Sequence, residues 1–412
     1  MTLAFADCAE MDARDPLAHA RGRFIIPDDA IYLDGNSLGA LPRSAPGRVA
    51  QVMLQEWGED LIRSWNKNDW IGLPARLGAR LAPLIGAAPD EVVVADSTSV
   101  NLFKLAAAAI RMQAPRRVIL TERSNFPTDL YVLQGLEELL GDTVTLRMVA
   151  REELEIALNE GVALLALTHV DFRTGEIQDM KRLTAAAHAY GALALWDLSH
   201  SAGAMELHLD ADGADLAIGC GYKYLNGGPG APAYLFVARA YQSALRQPLS
   251  GWMGHAAPFE FGEHYRPADG MRRLLCGTPP VLSMAAFEEG LKTFDGIDMS
   301  ALRAKSRALG DLFLTLLESR CAGAGFEIAC PKSSERRGSQ VSFRHPEGYA
   351  IMQALIENNV IGDFRSPDFL RFGFAPLYTR YVDVWNAVDR LVTIMSEELW
   401  REARYQVRAA VT

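Results

Sequence analysis

Asp197 closes the apolar run Ala192-Leu193-Ala194-Leu195-Trp196, and Lys223 follows a second run, Asp215-Leu216-Ala217-Ile218-Gly219. Runs of this kind read as strands buried on both faces of a parallel sheet, and α/β enzymes bind ligands at the carboxyl ends of such strands. A carboxylate buried there needs a cationic partner. A lysine held opposite it can condense with an aldehyde while the carboxylate keeps a pyridine nitrogen protonated, which is the chemistry of a pyridoxal phosphate (PLP) site. Taken singly, an Asp at a strand end is usually a cap or turn residue, and a Lys beside glycines is usually solvated. Their joint occurrence, with a third apolar run over residues 233–237 directly after the turn Gly227-Gly228-Pro229-Gly230, favours the chemical reading.

A phosphate needs its own cradle, and Asp96-Ser97-Thr98-Ser99-Val100-Asn101 offers one. Three hydroxyl residues stand where a strand turns into a helix, so side-chain hydroxyls, free N–H groups and the helix dipole could converge on a dianion. Simple N-capping would use the same residues. In the next strand-to-helix loop, Ser124-Asn125-Phe126-Pro127-Thr128-Asp129 supplies an aromatic ring that could stack on a pyridine. Its Asp129 could bond the cofactor's phenolic oxygen or the loop backbone, and Pro127 suits a first helical turn.

These residues need a scaffold. At 412 residues the chain exceeds a usual single core and suggests about two domains. With 49% apolar and 22% charged residues it has the composition of a globular protein. A net charge of −10, without a basic run interleaved with aromatics, argues against nucleic acid as a partner. Residues 1–8 lack the pattern of a signal peptide and no apolar run is long enough to span a membrane, so a cytoplasmic protein without a membrane partner is expected. The five cysteines, Cys8, Cys220, Cys276, Cys321 and Cys330, show no CxxC pair, which fits reduced thiols and no metal site.

From residue 90 the pattern alternates between strand and helix. Strands are expected over residues 91–95, 117–121, 143–149 and 162–168, and helices over 97–112, 128–140, 151–158 and 179–190, leading into the Asp197 strand. The expected fold class is α/β: a mostly parallel seven-stranded sheet with helices on both faces, plus a smaller α+β C-terminal domain. In that domain helices are expected over residues 300–319, 349–358 and 382–404, with a strand at 340–343. Residues through Leu41 read as loop, and a helix running to Trp57 leads into the large domain. The expected division is an N-terminal segment and linking helix, 1–60, a large PLP-binding domain, 61–295, and a small domain, 296–412.

Six blocks in order resemble the kynureninase family, a group within the fold-type I, class V aminotransferase-like PLP enzymes. They are Tyr32-Leu33-Asp34-Gly35-Asn36-Ser37-Leu38-Gly39; Asn125-Phe126-Pro127-Thr128-Asp129; Asp197-Leu198-Ser199-His200-Ser201-Ala202-Gly203; Gly221-Tyr222-Lys223-Tyr224-Leu225-Asn226-Gly227-Gly228-Pro229-Gly230; Gly251-Trp252-Met253-Gly254-His255; and Leu370-Arg371-Phe372-Gly373-Phe374-Ala375-Pro376-Leu377-Tyr378. The resemblance implies hydrolysis of L-kynurenine to anthranilate and L-alanine in tryptophan degradation, by a homodimer whose active site is shared between subunits. It makes Lys223 the Schiff-base lysine, Asp197 the partner of the pyridine nitrogen and Phe126 the stacking ring. Thr98, Ser99, Asp129, Thr168, His200 and Tyr222 would complete the cofactor shell, and Trp252 and Thr278 would reach the phosphate from the neighbouring subunit. Arg371 would hold the substrate α-carboxylate, for which its planar fork is suited. Asn36, Ser37 and Trp65 would line the aromatic side. Thr278 stands where animal members carry Asn, which implies a preference for L-kynurenine over its 3-hydroxy form.

On this reading Lys223 removes the α-proton, and water adds to the γ-ketone so that the Cβ–Cγ bond breaks. Tyr222 either relays a proton to the β-carbon or only bonds the phosphate. A cysteine desulfurase or a class V aminotransferase would share fold and cofactor; the cysteine nearest to fitting a desulfurase is Cys330, beside Ser333-Ser334. A cofactor-free scaffolding relative is disfavoured by the joint presence of Lys223, Asp197 and Arg371.

Overall fold

A computed structural model describes residues 3–408. Its centre is a seven-stranded sheet, built from β1 (Val92–Val94), β2 (Val118–Glu122), β3 (Thr145–Val149), β4 (Val162–Thr168), β5 (Leu193–Asp197), β6 (Leu216–Gly219) and β7 (Tyr234–Val237). The spatial order is β1-β7-β6-β5-β4-β2-β3, and β7 alone runs against its neighbours. Alternate residues face opposite layers: Ala194 and Trp196 of β5 join one apolar cluster, Leu193 and Leu195 the other, and β7 divides likewise between Tyr234, Phe236 and Leu235, Val237. Helices Thr98–Met112 and Pro127–Leu140 cover one face and Met180–Ala189 the other, which is why the central strands β4 and β5 are apolar up to their last residues, Thr168 and Asp197. The strand order reverses between β2 and β4, so their carboxyl ends splay apart and leave a crevice.

A second, antiparallel sheet lies in the C-terminal third, with β8 (Gln340–Arg344), β9 (Asp363–Arg365) and β10 (Phe369–Gly373) beside the short strand Glu327–Ile328. Helices Met299–Arg320, Gly348–Glu357 and Tyr381–Ser396 bury its apolar side, where Phe313, Phe343, Phe372 and Phe374 pack together.

The N-terminal stretch is not the loop expected. Phe5–Ala13 is helical and buries Cys8 in the C-terminal core, and the strand Ile31–Tyr32 pairs in parallel with Val360–Ile361. Chain reversal by long-range pairing of two-residue strands leaves no local periodicity to read. At the other end the last long helix stops at Ser396, not Arg404, because Glu398 adopts a left-handed backbone (φ 54°) that breaks it into two short 3₁₀ turns. Residues 1–2 and 409–412, which fall within the expected signal-peptide-free start and small domain, lie outside the described residues. Among the described residues no helix is long and apolar enough to cross a membrane.

Candidate active site

The crevice at the strand ends holds a cavity of about 290 Å³ lined by Ser97, Thr98, Ser99, Phe126, Asp129, Thr168, Phe172, Asp197, His200, Tyr222 and Lys223, with Cys220 and Ser199 at its base. Each comes from the end of a strand or the loop after it: Asp197 from β5, Thr168 from β4, and Lys223 from the turn after β6. The turn can approach so closely because Gly39 packs under it. Gly39 N–H donates to the Tyr222 carbonyl (2.8 Å), and a Cβ on Gly39 would stand 2.4 Å from the Lys223 carbonyl oxygen. The hydroxyl residues of the first helix also stand at the cavity wall. Ser97 caps the helix by accepting from Val100 N–H (3.3 Å), which leaves the first-turn N–H groups of Thr98 and Ser99 without helical partners and facing the cavity. Beneath it, Asp96 is left-handed (φ 49°) and pairs with the fully buried Lys104 (2.6 Å).

Two carboxylates share the far end of the cavity. Asp197 accepts from Ser199 N–H (2.7 Å) and lies against Asp129, which also receives the Thr168 hydroxyl (3.4 Å). Burial pushes both carboxyls up, and Asp129 rises furthest because the Asp197 charge adds to its burial. The rise of Asp197 is opposed by Ser199 and by the Lys223 charge, so of the two Asp129 is the more easily protonated. Asp129 lies beside Asp197 and Thr168 in the same cavity. Lys223 Nζ is 3.0 Å from His200 Nε2, 5.9 Å from the Phe126 ring centre and 5.7 Å from that of Tyr222. Burial, then the Lys223 charge, holds His200 neutral, and its Nδ1 is buried without a hydrogen-bond partner among the described residues. The Tyr222 phenol is pushed up by burial and by Cys220 and Asp197, so it stays protonated. A carboxylate at one end, hydroxyls and helix N–H groups at the other, an aromatic lid and a lysine between them fit the polar groups of PLP one by one.

Arg371, on β10, is buried with 2% of its side chain exposed. Its Nε donates to Asp363 Oδ1 (2.7 Å), its Nη2 to Asp363 Oδ2 and to Ser37 Oγ (3.3 Å), and its Nη1 to the Phe172 carbonyl. Ser37 in turn donates to Asp363 (2.6 Å). Asn36 does not face open space: it is fully buried against Gly373 and donates to Gln340 Oε1 (3.3 Å). Nor does Trp65 join Asn36 and Ser37 within one chain; it lines a separate cavity of about 580 Å³ with Ile62, Phe259, Trp252 and Thr278. Cys330, the nearest candidate for a desulfurase thiol, is buried in the C-terminal core with its thiol pushed up by burial.

Three contributors escaped sequence reasoning. Phe172 meets Phe126 edge-on (ring centres 5.0 Å apart, 84°) and carries the carbonyl that Arg371 grips. Asp363 occupies the guanidinium fork, and Arg365 shares its Oδ2 (2.8 Å). The last two had a signal: residues 363–365 and 369–373 flank Ser366-Pro367, and a hairpin there sets Asp363 opposite Arg371.

The family model for the kynureninase C-terminal domain matches residues 302–391. Curated kynureninases of Burkholderia mallei (strain SAVP1), 54% identical, and Pseudomonas fluorescens, 52% identical, each align with 98% of this chain and with 98% and 99% of their own lengths. Among solved structures, a cysteine desulfurase from Thermococcus onnurineus superposes with a TM-score of 0.78 over 96% of this chain and 100% of its own. Its identity is only 17%, so that likeness speaks for the fold-type I architecture alone. Identity above one half across nearly the whole length speaks for more: the chain belongs to the kynureninase family.

Proposed function

We propose that the protein hydrolyses L-kynurenine to anthranilate and L-alanine with PLP held covalently on Lys223. The observation that carries this is the single cavity in which Lys223, the Asp129–Asp197 pair, Phe126 and the Thr98–Ser99 helix start converge. When bound, PLP supplies an electron sink for bonds broken at the substrate's α- and β-carbons. The chain's own groups do the rest. Lys223 would hold the cofactor and would be the base for the α-proton. Asp197, beside Asp129, would be the partner of the pyridine nitrogen. Arg371 would orient the α-carboxylate, and Tyr222, protonated, would deliver a proton to the β-carbon after Cβ–Cγ cleavage.

The same reading makes the active unit a homodimer. Trp252, Phe259 and Ile62 expose 38%, 61% and 77% of their surface around Trp65 and Thr278, an apolar patch suited to burial against a second subunit. In that arrangement Trp252 and Thr278 would meet the partner's cofactor phosphate. Incubation with L-kynurenine, with anthranilate followed by its fluorescence and L-alanine by chromatography, tests the activity. Absence of both products, with sulfide released from cysteine instead, would reverse the assignment.

A further inference from the structure

We propose that the substrate α-carboxylate is seated by two guanidinium groups, Arg371 and Arg365, both anchored on Asp363. The inference rests on an amino-acid substrate, as in the function proposed above, and concerns how its carboxylate is held. A carboxylate is bound best by two parallel N–H donors. Arg371 has few left. Its Nε–H faces Asp363, Nη2 is divided between Asp363 and Ser37, and Nη1 reaches the Phe172 carbonyl. Of the five donors a guanidinium carries, one on Nη1 remains. Taking a second from Arg371 would mean giving up Ser37, the Phe172 carbonyl or part of the fork on Asp363, each a bond made by a buried group.

Arg365 removes the need. It lies two residues from Asp363 on β9, so both project from the same face of the hairpin that carries Arg371 across from them. Its Nη2 grips Asp363 Oδ2 (2.8 Å) and its Nη1 bonds the Phe364 carbonyl (3.1 Å), yet 38% of its side chain stays exposed. Its charge acts on both Tyr222 and His200, which line the cofactor cavity. The charge balance points the same way. Two guanidinium groups face one ionised carboxylate, Asp363, while burial and the Asp363 charge push Asp34 up to about 7 and so blunt its compensation. A seat with surplus positive charge beside the lysine is completed by an anion.

The test compares L-alanine with ethylamine, which is L-alanine without its carboxylate, by calorimetric titration of the holoenzyme. A charge-assisted hydrogen bond lost from the seat should weaken L-alanine about tenfold in Arg365→Gln, leaving ethylamine within about twofold. Arg365→Lys, which keeps the charge on a shorter reach, should recover L-alanine to within about threefold of the parent. KM for L-kynurenine should rise with the L-alanine constant, and kcat should fall less than KM rises. Unchanged L-alanine affinity in Arg365→Gln, or equal weakening of both ligands, overturns the proposal, since a merely structural Arg365 would not distinguish them. Should Arg365→Gln fail to fold, Arg365→Met, which keeps the stem without the charge, is read by the same pair, and an L-alanine constant equal to the parent's counts against the seat. A parent protein that binds L-alanine but forms no anthranilate would remove the kynurenine reading and leave this one standing.

Discussion

The lysine end of the site and the carboxylate seat are built in opposite ways. Asp197 and Thr168 close paired strands of one sheet, and Lys223 and the Thr98–Ser99 turn stand just beyond the ends of strands in the same sheet. The seat joins Ser37, from the N-terminal segment, to Asp363, Arg365 and Arg371, more than three hundred residues later, and to Phe172 from the large domain. One end is held by a scaffold that does not need the ligand's chemistry. The other is held by its own charges, so removing one member leaves its partners unpaired. Substitutions at the first should therefore strike the rate, and at the second the affinity.

The largest effect is expected at Lys223. Lys223→Ala removes both the covalent anchor and the base, and turnover of L-kynurenine should be lost; borohydride reduction of the parent should fix the cofactor on the peptide carrying Lys223. Label on Lys104, which is fully buried against Asp96, would refute the assignment. At Asp197, removing one member of a buried charge pair costs roughly 3 to 5 kcal/mol. Felt in the transition state, that is a loss of about two to four orders of magnitude in kcat for Asp197→Ala. Near-normal kcat would mean that Asp129 alone serves the ring nitrogen. Crossing to the seat, Arg371→Lys exchanges a fork for a point charge and should raise KM for L-kynurenine by about ten- to a hundredfold while cofactor retention stays close to the parent's. A kcat loss without a KM change would erase the contrast between the two ends.

This contrast also explains what could be read without a structure. The cofactor end was legible because each of its residues ends an apolar run or opens a helix, so strand and helix periodicity place Asp197, Lys223, Thr98 and Phe126 at one edge of one sheet. Arg371 was legible only through likeness to relatives. Its surroundings were not, because Ile31–Tyr32 and Val360–Ile361 are strands of two residues and carry no period. Asn36 shows the cost of carrying a motif over without packing: the block is there, but the side chain is turned under Gly373, where a Cβ would lie 1.9 Å from its Oδ1. Asp129 shows the converse. Its place on the loop was evident, but the upward push on its carboxyl follows from burial beside Asp197, which no linear pattern displays.

The smallest effect distinguishes the two ends by the sign of their pH dependence. In the large domain, His169 directly follows β4, bonds Ser201 (2.8 Å), and is lowered to about 4, chiefly by burial and then by the Arg303 charge. Below its unfolded value of 6.5 the unfolded chain binds a proton that the folded chain refuses, so this group makes stability fall as pH drops from about 6.5 to about 4. At the seat, Asp34 is raised from 3.8 to about 7 by burial and by Asp363, and its Oδ1 is buried without a hydrogen-bond partner among the described residues. There the folded chain keeps a proton that the unfolded chain has released, so stability falls as pH rises from about 4 to about 7. The two slopes oppose each other over nearly the same window and partly cancel in the parent. Asp34→Asn should unmask the histidine and make the protein less stable at pH 5 than at pH 7, relative to the parent, and His169→Gln should do the reverse. Each difference should be on the order of 1–2 kcal/mol in denaturant midpoints converted at a common slope. If both variants shifted in the same direction, the seat would not hold the uncompensated acid that sets it apart from the lysine end.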